Sequence, residues 1–342
     1  MDREKILEIG RVMEENAHQR IIYVDHSILA TGVCEEKQRL AYVEHLRPLE
    51  TSKPLIFGSA FHAAIASIYT SSSRSYAPEA VRDLAHAAFF AEVRKAGPDT
   101  LPLSADSDEK RSVERGLYLI DAYIAKWAPT DINWEDVLRP DNGEPYVEMG
   151  FAVYFMDWRG TPVVYVGKVD RIRRNRVDGQ LYNWESKTTG GAVSYYVQQT
   201  RPNHQITGYK WGCQEFLQVN IAGTILDVVH VSDRKIGGKF PDGIDSEKDF
   251  ARVETRRSST DVEEFLYDLR ESTTRFLELR DSGKRRWHRR APSACYMYGG
   301  CHFRDACNSN LNPAILANKY RVERWEPWTI VAQAPTKSLA MP

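Results

Sequence analysis

Residues 166–188 read VGKVDRIRRNRVDGQLYNWESKT, and this pattern predicts two β-strands joined by a short turn. The turn falls at residues 175–179, where Asp-Gly is a typical hairpin signal. Because residues two apart share one face of a strand, Glu185 and Lys187 project together, and the turn brings Asp170 to the same end of the sheet. Two carboxylates that converge beside a lysine make a poor core but suit a divalent cation. We therefore predict a site for Mg²⁺ or Mn²⁺, which prefer oxygen ligands and activate bound water.

The sequence around this hairpin predicts an α/β protein. Helical patterns before it predict helices at residues 3–20, from about residue 25, and at 58–69, 78–96 and 107–127. Strand patterns cover residues 146–156, 162–173, 180–187 and 222–231, and further helices are expected at 204–219 and 261–280. Ser27 is the expected N-cap of the second helix, with Cys34 two turns into it. These elements predict a mixed sheet within residues 146–231, with helices around it.

Composition places the chain among ordinary globular proteins. Of its 342 residues, 42% are hydrophobic and 27% are charged, which excludes collagen-like, low-complexity and wholly disordered chains. No run approaches about 18 apolar residues, so we expect no membrane partner, and the charged N-terminus differs from a signal peptide. We therefore expect a cytoplasmic protein. The 46 Lys and Arg residues against 47 Asp and Glu residues give a net charge of −1, so affinity for nucleic acid must come from local patches.

Two basic runs are candidates for phosphate contacts. The first consists of Arg171, Arg173, Arg174 and Arg176, and the second follows the last long predicted helix. The DNA-contact residues that we predict in the second run are Lys284, Arg285, Arg286, Trp287, Arg289 and Arg290. Trp287 is expected to stack on an unpaired base. A solvated charged face is the alternative interpretation of either run.

Five cysteines are an odd number for a disulfide framework. Cys295, Cys301 and Cys307 are separated by five residues each in a loop-like segment, which favours a metal or iron–sulfur site that needs a fourth ligand. Thiolates bind iron–sulfur clusters and zinc alike, and His302 keeps a mixed zinc site open. Cys213 fits a small buried side chain of its predicted helix.

The Asp170 … Glu185-Ser186-Lys187 arrangement resembles the PD-(D/E)XK nuclease superfamily. More narrowly, the chain resembles the RecB-type nucleases, including the CRISPR-associated four-cysteine exonucleases and the AddB nuclease domain. Further motifs of that group occur in the same order within residues 25–307. They are Gly58-Ser59-Ala60-Phe61-His62, Glu148, the pair Gln205 and Tyr209, and Cys34 together with Cys295, Cys301 and Cys307.

The resemblance implies a restriction-endonuclease-like α/β core, with a central mixed sheet flanked by helices. The implied metal ligands for Mg²⁺ or Mn²⁺ are His62, Asp170 and Glu185, with Glu148 as a further candidate. Lys187 would assist the attacking water, and Gln205 and Tyr209 would position the DNA strand. The split set of four cysteines implies a [4Fe–4S] cluster, and structural Zn²⁺ is the alternative.

Each candidate residue also has an ordinary structural interpretation. Asp170, Glu185 and Lys187 could be an ion-pair cluster on a strand surface, and Gln205 and Tyr209 could bond one helix to another. His62 and Glu148 could be a helix histidine and an exposed strand residue.

The implied function is metal-dependent hydrolysis of DNA, expected as an exonuclease on single strands or free ends. The protein is expected to act in recombination, repair or CRISPR adaptation, with DNA and recombination or CRISPR-adaptation proteins as its partners. The alternatives are a catalytically inactive nucleic-acid-binding partner of the same fold and a zinc-stapled accessory protein. We expect one compact nuclease domain with four parts: a helical part at 1–135 that carries Cys34 and His62, a core at 136–260, the last helix and cysteine cluster at 261–311, and a tail at 312–342.

Overall fold

The computed structural model describes residues 21–73, 76–97, 100–104, 110–289, 292–296, 300–326 and 330. Its helices are α1 His26–Thr31, α2 Glu35–Tyr42, α3 Lys53–Ser73, α4 Pro78–Ala96, α5 Val113–Asp131, α6 Val193–Gln198, α7 His204–Leu217, α8 Ser259–Asp281, α9 Pro292–Tyr296, α10 Arg304–Asn308 and α11 Pro313–Lys319. Its strands are β1 Ile22–Val24, β2 Leu46–Pro48, β3 Trp134–Asp136, β4 Val147–Trp158, β5 Thr161–Asn175, β6 Leu181–Thr189, β7 Ile221–His230, β8 Phe250–Thr255 and β9 Tyr320–Val322. The helix predicted at residues 3–20 lies outside the described residues. Within the described part of the chain, no helix combines the length and apolarity that crossing a bilayer requires.

The chain divides into two compact units. The cysteine unit consists of Met1–Glu50, Phe151–Gly167 and Ser259–Ala334. The carboxylate unit consists of Thr51–Gly150, Lys168–Ser258 and Pro335–Pro342. Strands β4 and β5 contribute residues to both units. The four-part division predicted from the sequence stays a prediction.

The strands of the carboxylate unit form a mixed sheet. β5 pairs antiparallel with β3 and β6, β6 pairs parallel with β7, and β7 pairs antiparallel with β8. Helices α3 and α7 pack against β6. These pairings confirm the predicted α/β class and its central mixed sheet. The sequence analysis did not predict β8. This strand, FARVET, has only six residues, and two of them, Arg252 and Glu254, are charged.

The β5–β6 hairpin confirms the prediction made from residues 166–188. Arg171 of β5 pairs with Trp184 of β6. In the turn, a side-chain oxygen of Asp178 accepts the backbone N–H of Gln180 at 2.8 Å. Gly179 takes φ +71°, a left-handed value that glycine adopts without a Cβ clash. Turn chemistry therefore sets the register that aligns the two strands of the predicted site.

An aromatic core lies between α3, α4 and α5 of the carboxylate unit. Phe57, Phe61, Phe89 and Tyr123 are each no more than 1% exposed, and the Phe57 and Phe89 rings meet edge-on with centroids 5.7 Å apart. Gly116 allows α4 and α5 to approach closely, since any Cβ at this position would lie only 2.2 Å from the Phe89 ring. Burial of each large apolar side chain contributes about 1.5–3 kcal/mol. This core therefore fixes α3, the helix that carries the predicted histidine ligand.

The start of the cysteine unit differs from the prediction. Asp25, rather than Ser27, caps α1, because its side chain accepts the backbone N–H of Ile28 at 2.7 Å. Helix α1 ends at Thr31, so Cys34 is the N-cap residue of α2 instead of lying two turns into one longer helix. β1 pairs parallel with β5, and β2 pairs antiparallel with β9. The sequence missed these strands because each has only three residues, too few to show an alternating pattern.

Candidate metal centre and cysteine cluster

Asp170 lies just beyond the position where the regular pairing of β5 with β6 ends, at Arg171 and Trp184. Its Oδ2 accepts the backbone N–H of Ser186 at 2.6 Å, so a side chain takes the place of a strand-to-strand hydrogen bond. The same oxygen lies 3.6 Å from Nδ1 of His62. The Asp170 side chain is thus held in one orientation at the centre of the candidate site.

His62 reaches Asp170 from α3. Gly58 lies one turn earlier on the same face of this helix. A Cβ on Gly58 would lie 3.3 Å from Oγ1 of Thr188 on β6, which is tighter than an ordinary contact. The absent side chain therefore lets α3 approach the strand that carries the site, which gives a physical reason for the glycine in this motif.

Glu148 completes a group of three candidate ligands. One ligand atom from each of His62, Glu148 and Asp170 lies within 4.8 Å of the other two. Glu148 takes φ +51°, a left-handed value that costs a non-glycine residue about 1–3 kcal/mol. An ordinary exposed strand residue has no need of such a backbone, so this conformation favours a functional role. The carboxylate forms an ion pair with Lys168, which the sequence had not singled out.

Glu185 lies beside this group of three rather than within it, as far as the described residues show. It is 4% exposed and forms an ion pair with Lys187. Its Oε1 accepts a hydrogen bond from Nε2 of Gln205 at 2.8 Å, so Gln205 contacts a site carboxylate as its motif suggests. Tyr209 is half-buried one turn further along α7.

The charges of these groups depend on one another. Burial raises the pKa of Glu185 to about 7, and the Asp170 carboxylate adds to the rise although Lys187 opposes it. Burial also acts to raise the pKa of Asp170, but the His62 and Lys187 charges outweigh it and the pKa is lowered. Burial acts to lower the pKa of Lys187, but Glu185 and Asp170 outweigh it and the pKa is raised. Burial acts to lower the pKa of His62, but Asp170 outweighs it and the pKa is raised. Near neutral pH, therefore, Asp170 is ionised and Lys187 is protonated, while Glu185 and His62 are the groups that change charge.

The donor set fits a divalent cation. Two carboxylates and an imidazole face one another, and a third carboxylate adjoins them. The side chains of His62, Glu148 and Asp170 are 29%, 33% and 14% exposed, so solvent reaches each of them. Carboxylate oxygens are the ligands that Mg²⁺ and Mn²⁺ prefer. The structure therefore contains a candidate acidic metal site where the sequence predicted one.

The opposite face of the same hairpin carries a buried charge network that the sequence did not reveal. Arg171 is 1% exposed and forms an ion pair of 2.7 Å with Asp227, which is completely buried. Its Nη1 donates to Oγ of Ser186 at 2.9 Å. Its guanidinium lies 4.1 Å from the centroid of the Tyr69 ring and 4.5 Å from that of Trp184. Such a desolvated ion pair depends on these short contacts, because loss of one partner would leave a buried charge unpaired.

This network corrects the prediction that the first basic run contacts phosphate. Arg173 is 4% exposed, and its Nε lies 2.8 Å from Oδ1 of Asp136. Arg171 and Arg173 therefore point into the unit, because alternate residues of β5 face its interior. Only Arg174 and Arg176 of that run reach solvent.

The four cysteines implied by the family pattern all belong to the cysteine unit. Burial raises the pKa of Cys301, and the nearby Cys34 and Cys295 thiols raise it further. Burial likewise raises the pKa of Cys307, with smaller contributions from Cys301 and Cys34. These interactions place the four thiols in one neighbourhood although Cys34 is far from the others in sequence. Cys213 belongs to the carboxylate unit, where it is completely buried, in agreement with its predicted structural role.

The residues of the second basic run differ in their exposure to solvent. Lys284, Arg285 and Arg289 are exposed, whereas Trp287 is only 6% exposed. The Trp287 ring packs edge-on against Phe276, with centroids 6.0 Å apart. Base stacking by Trp287 is therefore a wrong prediction, because its ring is part of the interior of the cysteine unit.

A buried carboxylate ties the same segment to α2. Glu36 accepts the backbone N–H of Trp287 at 2.8 Å and lies 3.3 Å from Nη1 of Arg286. It also forms a two-pronged ion pair with Arg39, with both distances at 3.0 Å. Arg286 is thus engaged within the protein, and the predicted contact Arg290 lies outside the described residues.

Comparisons with known proteins bear on the family of this chain. A comparison with solved structures finds a protein described as "Putative exonuclease" from Eubacterium rectale, at 10% identity and a TM-score of 0.43, covering 84% of this chain and 88% of that chain. The comparison with curated proteins gives no match. A model of one family matches residues 31–308, which include the candidate ligands, Lys187 and the four cysteines of the predicted cluster. On the strength of that match, the chain belongs to the PD-(D/E)XK nuclease superfamily.

Proposed function

We propose that this protein is a divalent-metal-dependent deoxyribonuclease. The observation that supports this most directly is the group of His62, Glu148 and Asp170, whose ligand atoms lie within 4.8 Å of one another beside the Glu185–Lys187 pair. A metal held there would stabilise negative charge on a phosphoryl oxygen and lower the pKa of its bound water.

The other site residues have catalytic or positioning roles that follow from their charges and contacts. Glu185 lies beside the three candidate ligands, so its carboxylate can accept a proton from the attacking water. Lys187 stays protonated, so it stabilises charge that develops on the phosphate and orients the water rather than acting as a base. Gln205 fixes the Glu185 carboxylate through their hydrogen bond. Tyr209 stays a predicted contact to the DNA strand.

The test of this proposal is a cleavage assay on end-labelled DNA. Single- and double-stranded substrates, each linear and circular, are incubated with Mg²⁺, with Mn²⁺ or with EDTA. We expect cleavage with metal and none with EDTA. A folded protein that binds DNA but cleaves none of the substrates with either metal would contradict the proposal and favour the inactive binding partner.

A preference for free ends or single strands rests on the resemblance alone. Cleavage of linear but not circular DNA would support the exonuclease. Cleavage of circular DNA at a comparable rate would make it an endonuclease. A role in recombination, repair or CRISPR adaptation stays a prediction that this assay does not address.

We also propose that Lys284, Arg285 and Arg289 contact the DNA backbone. Among the described residues predicted in this run, these three are exposed, whereas Trp287 is buried and Arg286 is paired with Glu36. Replacing all three by Ala should weaken binding to all sequences alike. Each lost phosphate contact lowers the salt slope by about 0.7 on single strands. Titration at several salt concentrations measures this. An unchanged slope would show that the run is a solvated face.

The cysteine cluster is proposed to hold [4Fe–4S], with structural zinc as the alternative, because four thiols from two distant segments share one neighbourhood. Anaerobically purified protein should then be brown, with broad absorption near about 400 nm. Cys34→Ala should remove the colour, whereas the matched control Cys213→Ala should keep it. A colourless protein with one zinc per chain would decide for the alternative.

A further inference from the structure

Lys168 has no part in the proposed function, yet its side chain contacts the site. It lies two residues before Asp170 on β5, so both side chains project from the same face of the strand. Its ammonium forms an ion pair with Glu148, one of the three candidate ligands. Its side chain is 42% exposed, compared with 25% for Lys187, so Lys168 has more solvent into which it can move.

The Lys168–Glu148 ion pair competes with a bound metal for the Glu148 carboxylate. A dication shared by Glu148 and Asp170 would stand within a few ångströms of the Lys168 ammonium, and like charges at that distance repel. A lysine carries a compact charge on a flexible four-carbon stem, so it can leave a carboxylate without any movement of its strand. Lys168 is therefore the mobile member of the pair.

We propose that Lys168 occupies Glu148 only while the site holds no metal, and that metal binding frees its ammonium to contact a phosphate oxygen of the nucleic acid. This inference rests on the proposed function, because it requires a metal at His62, Glu148 and Asp170. The freed ammonium adds a positive charge beside the site only when the site is loaded. Binding of metal and binding of substrate then favour each other.

The first measurement is calorimetric titration of the DNA-free protein with Mn²⁺. In Lys168→Met no cation has to leave Glu148, so Mn²⁺ should bind about two- to fivefold tighter than in wild type, as the loss of one partly exposed ion pair implies. The matched control is Lys126→Met, which removes an ion pair with Glu247 in the same unit but outside the site. Its Mn²⁺ affinity should equal that of wild type.

The second measurement is binding of single-stranded DNA in Ca²⁺ and in EDTA, with gels to verify that the DNA stays intact. Ca²⁺ takes the same kind of oxygen ligands. Wild type should bind DNA more tightly in Ca²⁺ than in EDTA. Lys168→Met should lose about tenfold of that gain, the size expected for one charged hydrogen bond to phosphate, and should match wild type in EDTA.

The outcomes separate this inference from the function beneath it. If wild type binds no Mn²⁺, or if His62→Ala leaves its affinity unchanged, the proposed metal site itself fails. If wild type binds Mn²⁺ through His62 but Lys168→Met shows wild-type affinity for Mn²⁺, or the same gain in DNA affinity with Ca²⁺, only the role of Lys168 is overturned.

Discussion

The two faces of the β5–β6 hairpin carry similar charges but differ in how those charges are satisfied. On one face, Arg171 is buried with Asp227, and its other contacts are ring faces and the hydroxyls of Ser186 and Tyr123. On the other face, burial and, to a smaller extent, the Asp170 charge raise the pKa of Glu185. The first face holds matched charges in a closed interior. The second holds carboxylates that repel one another where solvent can enter, which is an arrangement that a bound cation would stabilise.

This difference separates structural from functional charge. A matched, sealed ion pair contributes to the folded state and tolerates no loss of one partner. Neighbouring carboxylates repel one another, which lowers stability, and they persist where they have another use. Substitutions on the two faces should therefore differ in their effects on catalysis and on stability.

The largest expected effect is on catalysis. Asp170→Asn keeps the shape of the side chain but removes the central negative charge of the site. Cleavage should fall by about 10³-fold or more, since a metal-bound transition state draws several kcal/mol from its ligands. Thermal unfolding should change little. The control is Asp178→Asn in the hairpin turn, which should cleave like wild type. Wild-type turnover in Asp170→Asn would remove Asp170 from the mechanism.

The second prediction concerns the sealed face. Arg171→Met leaves the completely buried Asp227 without its closest cation, so the free energy of unfolding should fall by about 3–5 kcal/mol. Denaturant unfolding measures this, with Arg174→Met, whose side chain reaches solvent, as the matched control. A loss of less than about 1 kcal/mol would show that the buried network contributes little to the stability of the fold.

The third prediction is a pH dependence of the open face. In the folded state the pKa of Glu185 is about 7, against an ordinary value of 4.5, so the unfolded chain ionises first as pH rises. Glu185 therefore costs the metal-free protein stability progressively above pH 4.5, and the full cost is present above about pH 7. Glu185→Gln does not titrate, so its stability relative to wild type should rise between pH 5 and pH 8 by about 1–3 kcal/mol.

Urea unfolding in EDTA at the two pH values checks this prediction. The exposed carboxylate of Glu254 provides the control, since Glu254→Gln should show no comparable change with pH. A difference between Glu185→Gln and wild type that stays constant with pH would mean that Glu185 is not the titrating group.

The smallest effect is expected from Gly58→Ala. Alanine favours a helix by about 1 kcal/mol over glycine, but the new methyl would meet Thr188 at 3.3 Å. Helix α3 must then give way by a fraction of an ångström, and His62 moves with it. We expect stability near or above that of wild type together with a several-fold loss of activity. Full activity would show that the open face tolerates imprecise ligand placement.

The sequence predicted the hairpin and the meeting of Asp170, Glu185 and Lys187 because strand alternation and turn chemistry are local properties. Alternation also says that Arg171 faces away from Asp170, but it does not say whether that face is covered. The partner Asp227 lies on a strand that is distant in sequence, so the local sequence pattern could not predict this buried ion pair. For the same reason Trp287 was misread, since its partner Phe276 lies on the preceding helix and its anchor Glu36 is far away in sequence.

The role of Glu148 could be suggested from the family pattern but not argued from residue order. Its placement depends on a left-handed backbone at +51°, which no local signal marks, because glutamate is not a residue that favours that conformation. Lys168 drew no attention because a single lysine on a strand is ordinary until its partner is known.

The hydrogen bond from the Ser186 amide to the Asp170 side chain has a spectroscopic consequence. Most slowly exchanging amides of a sheet are protected by backbone carbonyls, so substitutions of side chains leave their exchange rates nearly unchanged. The Ser186 amide proton is held instead by a candidate ligand, at 2.6 Å. The deuterium exchange rate of this one amide therefore reports whether the Asp170 carboxylate is in place, and the measurement needs no substrate. A chain whose nuclease activity is lost could then be sorted into one whose carboxylate has moved and one whose carboxylate is still in place.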